Sequence, residues 1–326
     1  MIGRHFVSVA ASVDTRVVED VDAIAAAMSD GLRGEYVQLE SRPFRCRWTT
    51  LRTASVVAQF VSEEVAVARR LRVPGDRWAF VVPLAVSAAA RWNGRPVHET
   101  DIVVCPPGTE CLAFDPPSTR FVIVTAGASV PLVAAVRPRF THAAADPISV
   151  ACSAIVLDVC GQLTTMRDRI ESGRRTAISE GKAGFESQLA ACLRGSMGAP
   201  IDVAAAGSKS GIVRLAEEFF RKHVSEGVSV AQLSTIAGVS ERSLRNAFYD
   251  VYTTSPKRYM KLWQLHQVRR TLRSAGVRRA TVTDVATCHG FYELGRFAGA
   301  YKSLFGEAPS ETLNKARHQQ AMQGAA

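Results

Sequence analysis

The stretch Val228-Ser-Val-Ala-Gln-Leu-Ser-Thr-Ile-Ala-Gly-Val-Ser-Glu-Arg-Ser-Leu-Arg-Asn-Ala-Phe248 decides how the rest of the chain is read. Its spacing predicts two short helices around a tight turn at Gly238-Val239-Ser240. Leu233, Ala237, Val239, Leu244 and Phe248 fall where they can close one small apolar core. Glycine at the turn takes a positive φ without steric cost. Ser240 stands where an N-cap belongs, so the second helix should start at Glu241. This is the pattern of a helix-turn-helix, whose second helix enters the major groove of DNA. An ordinary helical hairpin has the same local signature; a second turn of this kind at Gly290 favours the first reading.

Along the predicted second helix, Leu244, Ala247, Phe248 and Val251 form the core face. The opposite face carries Arg242, Arg245, Asn246 and Tyr249, with Glu241 and Ser243 near the start. Arginine pairs with guanine O6 and N7, and asparagine can be bidentate to adenine. Pro256 then opens a long helix to Arg273, a residue type suited to the first helical turn. Tyr259, Leu262, Trp263, Leu265, His266, Val268 and Leu272 give it a broad apolar face, and Lys257 in its first turn is a further candidate DNA contact. Eighteen residues span about 27 Å. With the flanking turns, such a strut sets two recognition helices apart by about one turn of DNA, on the order of 34 Å. One monomer would then read two adjacent major grooves of double-stranded DNA. The second unit runs from Thr281 to Gly306, with Val282, Val285, Ala286, Phe291, Phe297, Tyr301 and Leu304 as its core. Its turn is about one residue longer, because Phe297 follows Gly290 at a greater distance than Leu244 follows Gly238.

Charge supports this placement. The 326-residue chain has a net charge of +10, and its length fits two domains. From Lys209 to the end there are 18 basic and 9 acidic residues, whereas residues 1–208 hold 22 and 21. An excess confined to the C-terminal third is the footprint of a nucleic-acid-binding domain. Seven scattered cysteines with no Cys-x-x-Cys pair indicate neither a disulfide framework nor a zinc site. No run of about 18 apolar residues suggests a membrane span. The N-terminal apolar segment is short and soon interrupted by Asp14 and Arg16, so a cytoplasmic protein is expected.

The N-terminal half has a different texture. Asp20 to Arg33 is a helix candidate, with Val21, Ile24, Ala25, Met28 and Leu32 on one face. From about Glu35 to Thr125, short β-branched and aromatic runs (residues 44–51, 54–61, 78–84, 102–105 and 121–125) are divided by Pro- and Gly-rich turn signals. Asn93-Gly94 is the clearest hairpin signal. A jelly-roll barrel of the cupin type over about 35–145 fits this pattern. Only His98 lies in the strand region and no His-x-His occurs, so no metal, no cofactor and no catalysis are expected. A barrel without catalytic groups can still hold a small ligand. Trp48, Trp78, Phe80 and Trp92, together with Phe60 and Phe114, are candidates to line such a pocket, the alternative being that they are simply core. An inward-facing arginine among Arg45, Arg47, Arg52, Arg77 and Arg91 could bind a carboxylate.

Helical periodicity then returns at about 149–170 and 176–194, as two amphipathic stripes that pack on the barrel or meet a second copy in a homodimer. Small residues from 196 to 211 read as a linker. The expected organisation is α+β: residues 1–195 for sensing and dimerisation as a cupin-like β-barrel with helices, and residues 212–326 as an all-α double helix-turn-helix domain.

Several elements together carry a family resemblance. Gly-Val-Ser-x-Arg-Ser-Leu-x-x-x-Phe248, Thr254-Ser-Pro-Lys-x-Tyr259, Gly290-Phe-x-x-Leu-Gly-Arg-Phe-x-x-x-Tyr301 and Phe305-Gly-Glu-x-Pro-Ser-x-Thr-Leu313 resemble the AraC/XylS family of transcription regulators. The match covers about 100 residues, Val213 to Leu313, and the Leu-Gly-Arg-Phe and Phe-Gly-Glu-x-Pro-Ser elements are most similar to the XylS-like branch. The resemblance implies a regulator, commonly an activator that contacts RNA polymerase and, in this branch, responds to aromatic carboxylates. It implies DNA contacts at Arg242, Arg245 and Asn246 in the first reader, and at Glu293, Leu294, Gly295 and Arg296 in the second. Ala298 and Gly299 depart from the pattern, because they stand where many relatives carry longer polar side chains. Discrimination by the second reader should therefore rest on Arg296 and Lys302.

Overall fold

The computed structural model describes residues 12–28, 32–52, 56–130, 133–134, 148–151, 165, 209–274 and 280–323. Alternation of large and polar residues builds two antiparallel sheets. The larger has the order β1 (Ser12–Val18), β3 (Cys46–Arg52), β4 (Val56–Glu63), β11 (Arg120–Gly127), β6 (Arg77–Ala85), β9 (Asp101–Cys105), β12 (Ile148–Ala151). The smaller runs β2 (Arg33–Gln38), β5 (Val67–Arg72), β10 (Glu110–Asp115), β7 (Arg91–Trp92), β8 (Arg95–Pro96). This is the double-sheet, cupin-like plan, with the α+β division expected of the chain. The Asn93–Gly94 hairpin forms as predicted, with φ of 49° and 78°, the positive pair that a two-residue turn needs between right-twisted strands.

Three expectations change. The first helix, α1 (Val21–Ala27), is shorter than the periodicity suggested, because the chain re-enters the sheet at Arg33. Its N-cap Asp20 accepts a hydrogen bond from Asp22 N at 3.0 Å. Residues 148–151, read as the start of a helix, form a strand paired with β9 in the register Ile148↔Val104 to Ala151↔Asp101. An apolar run this short has no period of its own, and the open edge of β9 decides it. The rest of the two predicted helices, apart from Thr165, lies outside the described residues. The last three linker residues, Lys209 to Gly211, already belong to a helix, α2 (Lys209–Lys222); residues 196–208 lie outside the described residues.

The two sheets close on one core, including Trp48, Val61, Phe121 and Ile123 from one side and Tyr36, Leu71, Trp92 and Cys111 from the other. A buried charge cluster sits within the N-terminal barrel. Arg69 is paired with both Glu63 and Asp115, all three almost fully buried, and its guanidinium lies 4.6 Å from the Phe121 ring centroid. Burial, opposed by Arg69 and reinforced by Asp115, pushes the Glu63 carboxyl up to about 7.

The C-terminal helices are α3 (Val230–Ile236), α4 (Glu241–Tyr252), α5 (Pro256–Arg273), α6 (Val282–Cys288), α7 (Leu294–Phe305) and α8 (Pro309–Gln323). They do not stand apart from the barrel. Val37, Leu39, Ala68, Leu112 and Phe114 on the outer face of the smaller sheet share one apolar cluster with Val213, Phe220, Phe248 and Trp263 of α2, α4 and α5. No helix among the described residues is long and apolar enough to cross a membrane.

Candidate nucleic-acid interface

Each reading unit is fixed by its caps and its core. In the first, Ser229 and Gln232 form a capping box at the start of α3. Gly238 takes φ 66°, and Ser240 caps α4 by accepting from Ser243 N at 3.1 Å. Leu233, Leu244, Ala247, Phe248 and Val251 are buried. The side chains proposed to read bases point the other way. Arg242, Ser243, Arg245, Asn246 and Tyr249 are exposed, and Glu241 is half-buried, ion-paired with Arg245 one turn on. Ser243 Oγ lies 2.9 Å from Ser240 Oγ, so its hydroxyl serves the cap as well as the surface.

The second unit repeats the plan with a weaker start. Thr281 and Asp284 make the capping box of α6; the backbone N–H and the hydroxyl of Thr281 hold the Asp284 carboxyl below its usual range. The connection from α6 to α7 is one residue longer than that from α3 to α4, as the spacing implied. Gly290 sits at φ 83°, and a Cβ there would meet Val224 O at 2.6 Å, so both conformation and space require glycine. Gln264 Nε2 donates to His289 O at 2.9 Å and Tyr292 Oη to Ser225 O at 2.6 Å, tying this turn to α5 and to the turn after α2. At the N-cap of α7, Glu293 makes no capping bond but pairs with Arg296 at 2.6 Å. Phe297, Tyr301 and Leu304 are buried, while Glu293, Leu294, Gly295, Arg296, Ala298, Gly299 and Lys302 are exposed. A Cβ on Gly295 or Gly299 would meet nothing within 4 Å, so this reading face is nearly bare backbone beside Arg296.

The strut joins them. Helix α5 has the predicted bounds, capped by Ser255 with Pro256 in its first turn, and Lys257 is exposed there. Trp263 belongs to the core of the first unit and Leu265, Val268 and Leu272 to that of the second. His266, counted with the apolar face, is fully buried; its Nε2 accepts from Gln38 N of the barrel at 3.0 Å. Burial, with Arg270 nearby, lowers its imidazolium to about 3, so the ring stays neutral.

Many bonds cross from these helices to the barrel, between residues too far apart in the chain for a local pattern to show them. Arg70 of β5 joins Glu110 of β10 to Glu217 and Glu218 of α2. Arg221 pairs with Glu35, and Arg214 donates to Glu110 O. On α5, Arg258 donates to Leu39 O, Arg269 and Arg273 pair with Asp20, and Arg270 pairs with Asp22.

The candidate effector residues are not brought together. Trp48 and Trp92 lie in the core between the sheets, but Trp78 and Phe80 alternate with the core residues Ala79 and Val81 and so face the other side of β6. They line no common space. Arg45 and Arg47 are exposed, Arg52, Arg77 and Arg91 are half-buried, and the arginine in the barrel core is Arg69, occupied by Glu63 and Asp115. Burial of one arginine with two carboxylates inside a β-strand leaves no periodic signal that could have singled it out.

Two units of one core plan, turned outward along a shared helix, define a double helix-turn-helix DNA-binding domain. Residues 233–315 match the family described as "Helix-turn-helix domain". The chain is similar to the "Probable thc operon regulatory protein" of Rhodococcus erythropolis, 41% identical over 103 residues, which are 32% of this chain and 31% of that one. It is likewise similar to the "XylDLEGF operon transcriptional activator" of Pseudomonas putida, 35% identical over 104 residues, 32% of each. A crystal structure of a probable AraC family transcriptional regulator from Rhodopseudomonas palustris is 35% identical, with a TM-score of 0.30, over 32% of this chain and 97% of that one. The chain thus spans about a third of the length of these curated relatives. Its C-terminal third is a helix-turn-helix domain of the AraC/XylS type.

Proposed function

We propose that the chain is a sequence-specific transcription regulator that binds two adjacent major grooves of double-stranded DNA and answers to a small-molecule effector. The carrying observation is the exposure of Arg242, Arg245, Asn246 and Tyr249 on α4 and of Arg296 and Lys302 on α7, while the opposite faces of both helices are buried. The activator role follows the name of the Pseudomonas putida relative, and RNA polymerase is the partner that such a role requires. In this reading the barrel senses and does no chemistry, the protein works in the cytoplasm beside its DNA, and a second copy can join through the N-terminal half. Base selection rests mainly on the first reader, because Ala298 and Gly299 offer no hydrogen bond to a base edge. Salt-dependent DNA binding tests this. Arg242→Ala and Arg296→Ala should each cost about 1–3 kcal/mol and relax specificity at one base position. Unchanged binding by both variants would remove α4 and α7 as the reading helices.

A further inference from the structure

The junction of the strut and the second reader carries a pocket of about 350 Å³. Its lining includes Lys261 of α5, Phe291, Tyr292 and Glu293 of the turn before α7, and Arg296 of α7. Lys261 is exposed, one helical turn after Lys257, and its side chain pairs with no carboxylate among the described residues. Glu293 is already engaged by Arg296 at 2.6 Å, so the lining sets two cations against one carboxylate. Tyr292 is 63% exposed, yet its hydroxyl donates to Ser225 O at 2.6 Å. The ring is thereby pinned, with its apolar faces open and its polar end in use.

An unpaired ammonium beside a pinned aromatic ring suits a phosphate and the sugar attached to it. Lysine binds phosphate as a point charge and needs no fixed fork geometry. The second reader also needs a hold of this kind. Gly295, Ala298 and Gly299 leave its exposed face without hydrogen-bonding side chains. Contacts to the DNA backbone carry no sequence information, but they fix the register and orientation of a reading helix.

We propose that this pocket seats one sugar-phosphate unit of the DNA strand bordering the second groove, with the Lys261 ammonium on the phosphate and the Tyr292 ring against the deoxyribose. The inference rests on the reading of α7 as a groove-facing helix and names the chemical group that its neighbour on the strut would hold. Tyr292 is bound to the turn after α2 and Lys261 belongs to α5, so a phosphate seated here also sets the angle of the second unit to the first. One such contact adds about 0.9 to the salt slope given by the reading residues, which is roughly fivefold to tenfold in affinity at about 0.1 M salt.

Fluorescence anisotropy on the full chain over a salt series tests the seat, using a duplex with the selected site and a scrambled duplex. Lys261→Gln should weaken binding to both by the same factor, roughly fivefold to tenfold at about 0.1 M salt, and make the slope shallower by about 0.9, with the melting temperature unchanged. Lys261→Arg, which keeps the charge, should keep the slope. Methylphosphonate substitution, which removes the charge of one phosphate at a time, locates the partner. The wild type should lose the same factor at one position bordering the second half-site, and Lys261→Gln should lose nothing further there. Unchanged affinity and slope in Lys261→Gln, while Arg242→Ala still weakens binding, overturns the seat and leaves the readers in place. A loss confined to one base sequence, or the absence of any phosphate coupled to Lys261, overturns it as well. Silence of Arg242→Ala and Arg296→Ala together would instead mean that the reading of α4 and α7 has failed, and the seat falls with it.

Discussion

The contact between Arg70 and Glu217 joins the barrel to the first reading unit, and a double-mutant cycle measures what that joint is worth. Arg70 Nη1 lies 3.2 Å from Glu217 Oε2, with side-chain exposures of 13% and 1%. At that distance the gross attraction is about 5 kcal/mol for an effective dielectric near 20. Neither group depends on the other alone. Arg70 also pairs with Glu110 and Glu218, and Glu217 also accepts from Tyr252 Oη at 2.9 Å and lies 3.6 Å from Arg221. The coupling energy should therefore fall to about 1.5–3 kcal/mol, the range for hydrogen bonds to charged groups. Glu217→Gln keeps an acceptor for Tyr252 while removing the charge, and Arg70→Met keeps the apolar stem. Urea unfolding of the wild type, the two single variants and the double variant gives the coupling term directly. Additivity within about 0.5 kcal/mol would refute the idea that this contact holds the first reading unit to the barrel.

Gly290→Ala should destabilise the chain by about 2–4 kcal/mol in thermal unfolding, since it combines a left-handed φ with a collision against the Val224 carbonyl. Gly299→Ala should stabilise it by about 1 kcal/mol, because the added methyl enters open space on a helix. Gly299→Gln should sharpen the second half-site in a DNA selection, where an unchanged site would show that α7 does not face the groove there. Glu63, raised to about 7, contributes stability that is present below its unfolded value near 4.5 and lost as pH rises through 7; His266, lowered to about 3, contributes stability that is present above 6.5 and lost as pH falls toward 3. The two slopes oppose between about pH 4.5 and 6.5, so in unfolding curves Glu63→Gln should leave stability rising by about 1.4 kcal/mol per pH unit in that window, and His266→Gln should leave it falling.

What the sequence disclosed and what it concealed have separate physical causes. The reading units were legible because caps, turn glycines and apolar spacing are all local: Ser240, Gly238 and Leu244 lie within seven residues, and the bounds of α5 followed from Ser255-Pro256 and an unbroken apolar face. Strand β5 was not legible, because Arg69 and Arg70 make the run look polar although they point to opposite sides, one to the core and one to α2. The aromatic residues grouped for a pocket divide between two faces for a related reason. Aromatic residues on both faces of one strand are equally buried when both faces are covered, so Trp48 and Trp78 look alike in sequence and lie on different sides of the sheet. Docking of the helices on the barrel depends on pairs such as Asp20 and Arg269, some 250 positions apart, and no local pattern records them.

That docking changes the meaning of the charge asymmetry. All 18 basic residues after 208 entered the count as a footprint for DNA. Six of them, Arg214, Arg221, Arg258, Arg269, Arg270 and Arg273, are engaged with carboxylates or carbonyls of the barrel. Part of the basic excess is therefore an adhesive between the halves, and the footprint we propose for DNA is smaller and centred on Arg242, Arg245, Lys257, Arg296 and Lys302. The dependence of affinity on salt separates the two roles, since its slope counts phosphates neutralised at roughly 0.9 per contact. A docked chain that reads DNA with the exposed set should give a slope near −4 to −5. A slope approaching about −10 would mean that the α2 and α5 arginines exchange their barrel partners for phosphates, so that binding DNA and releasing the barrel are one event.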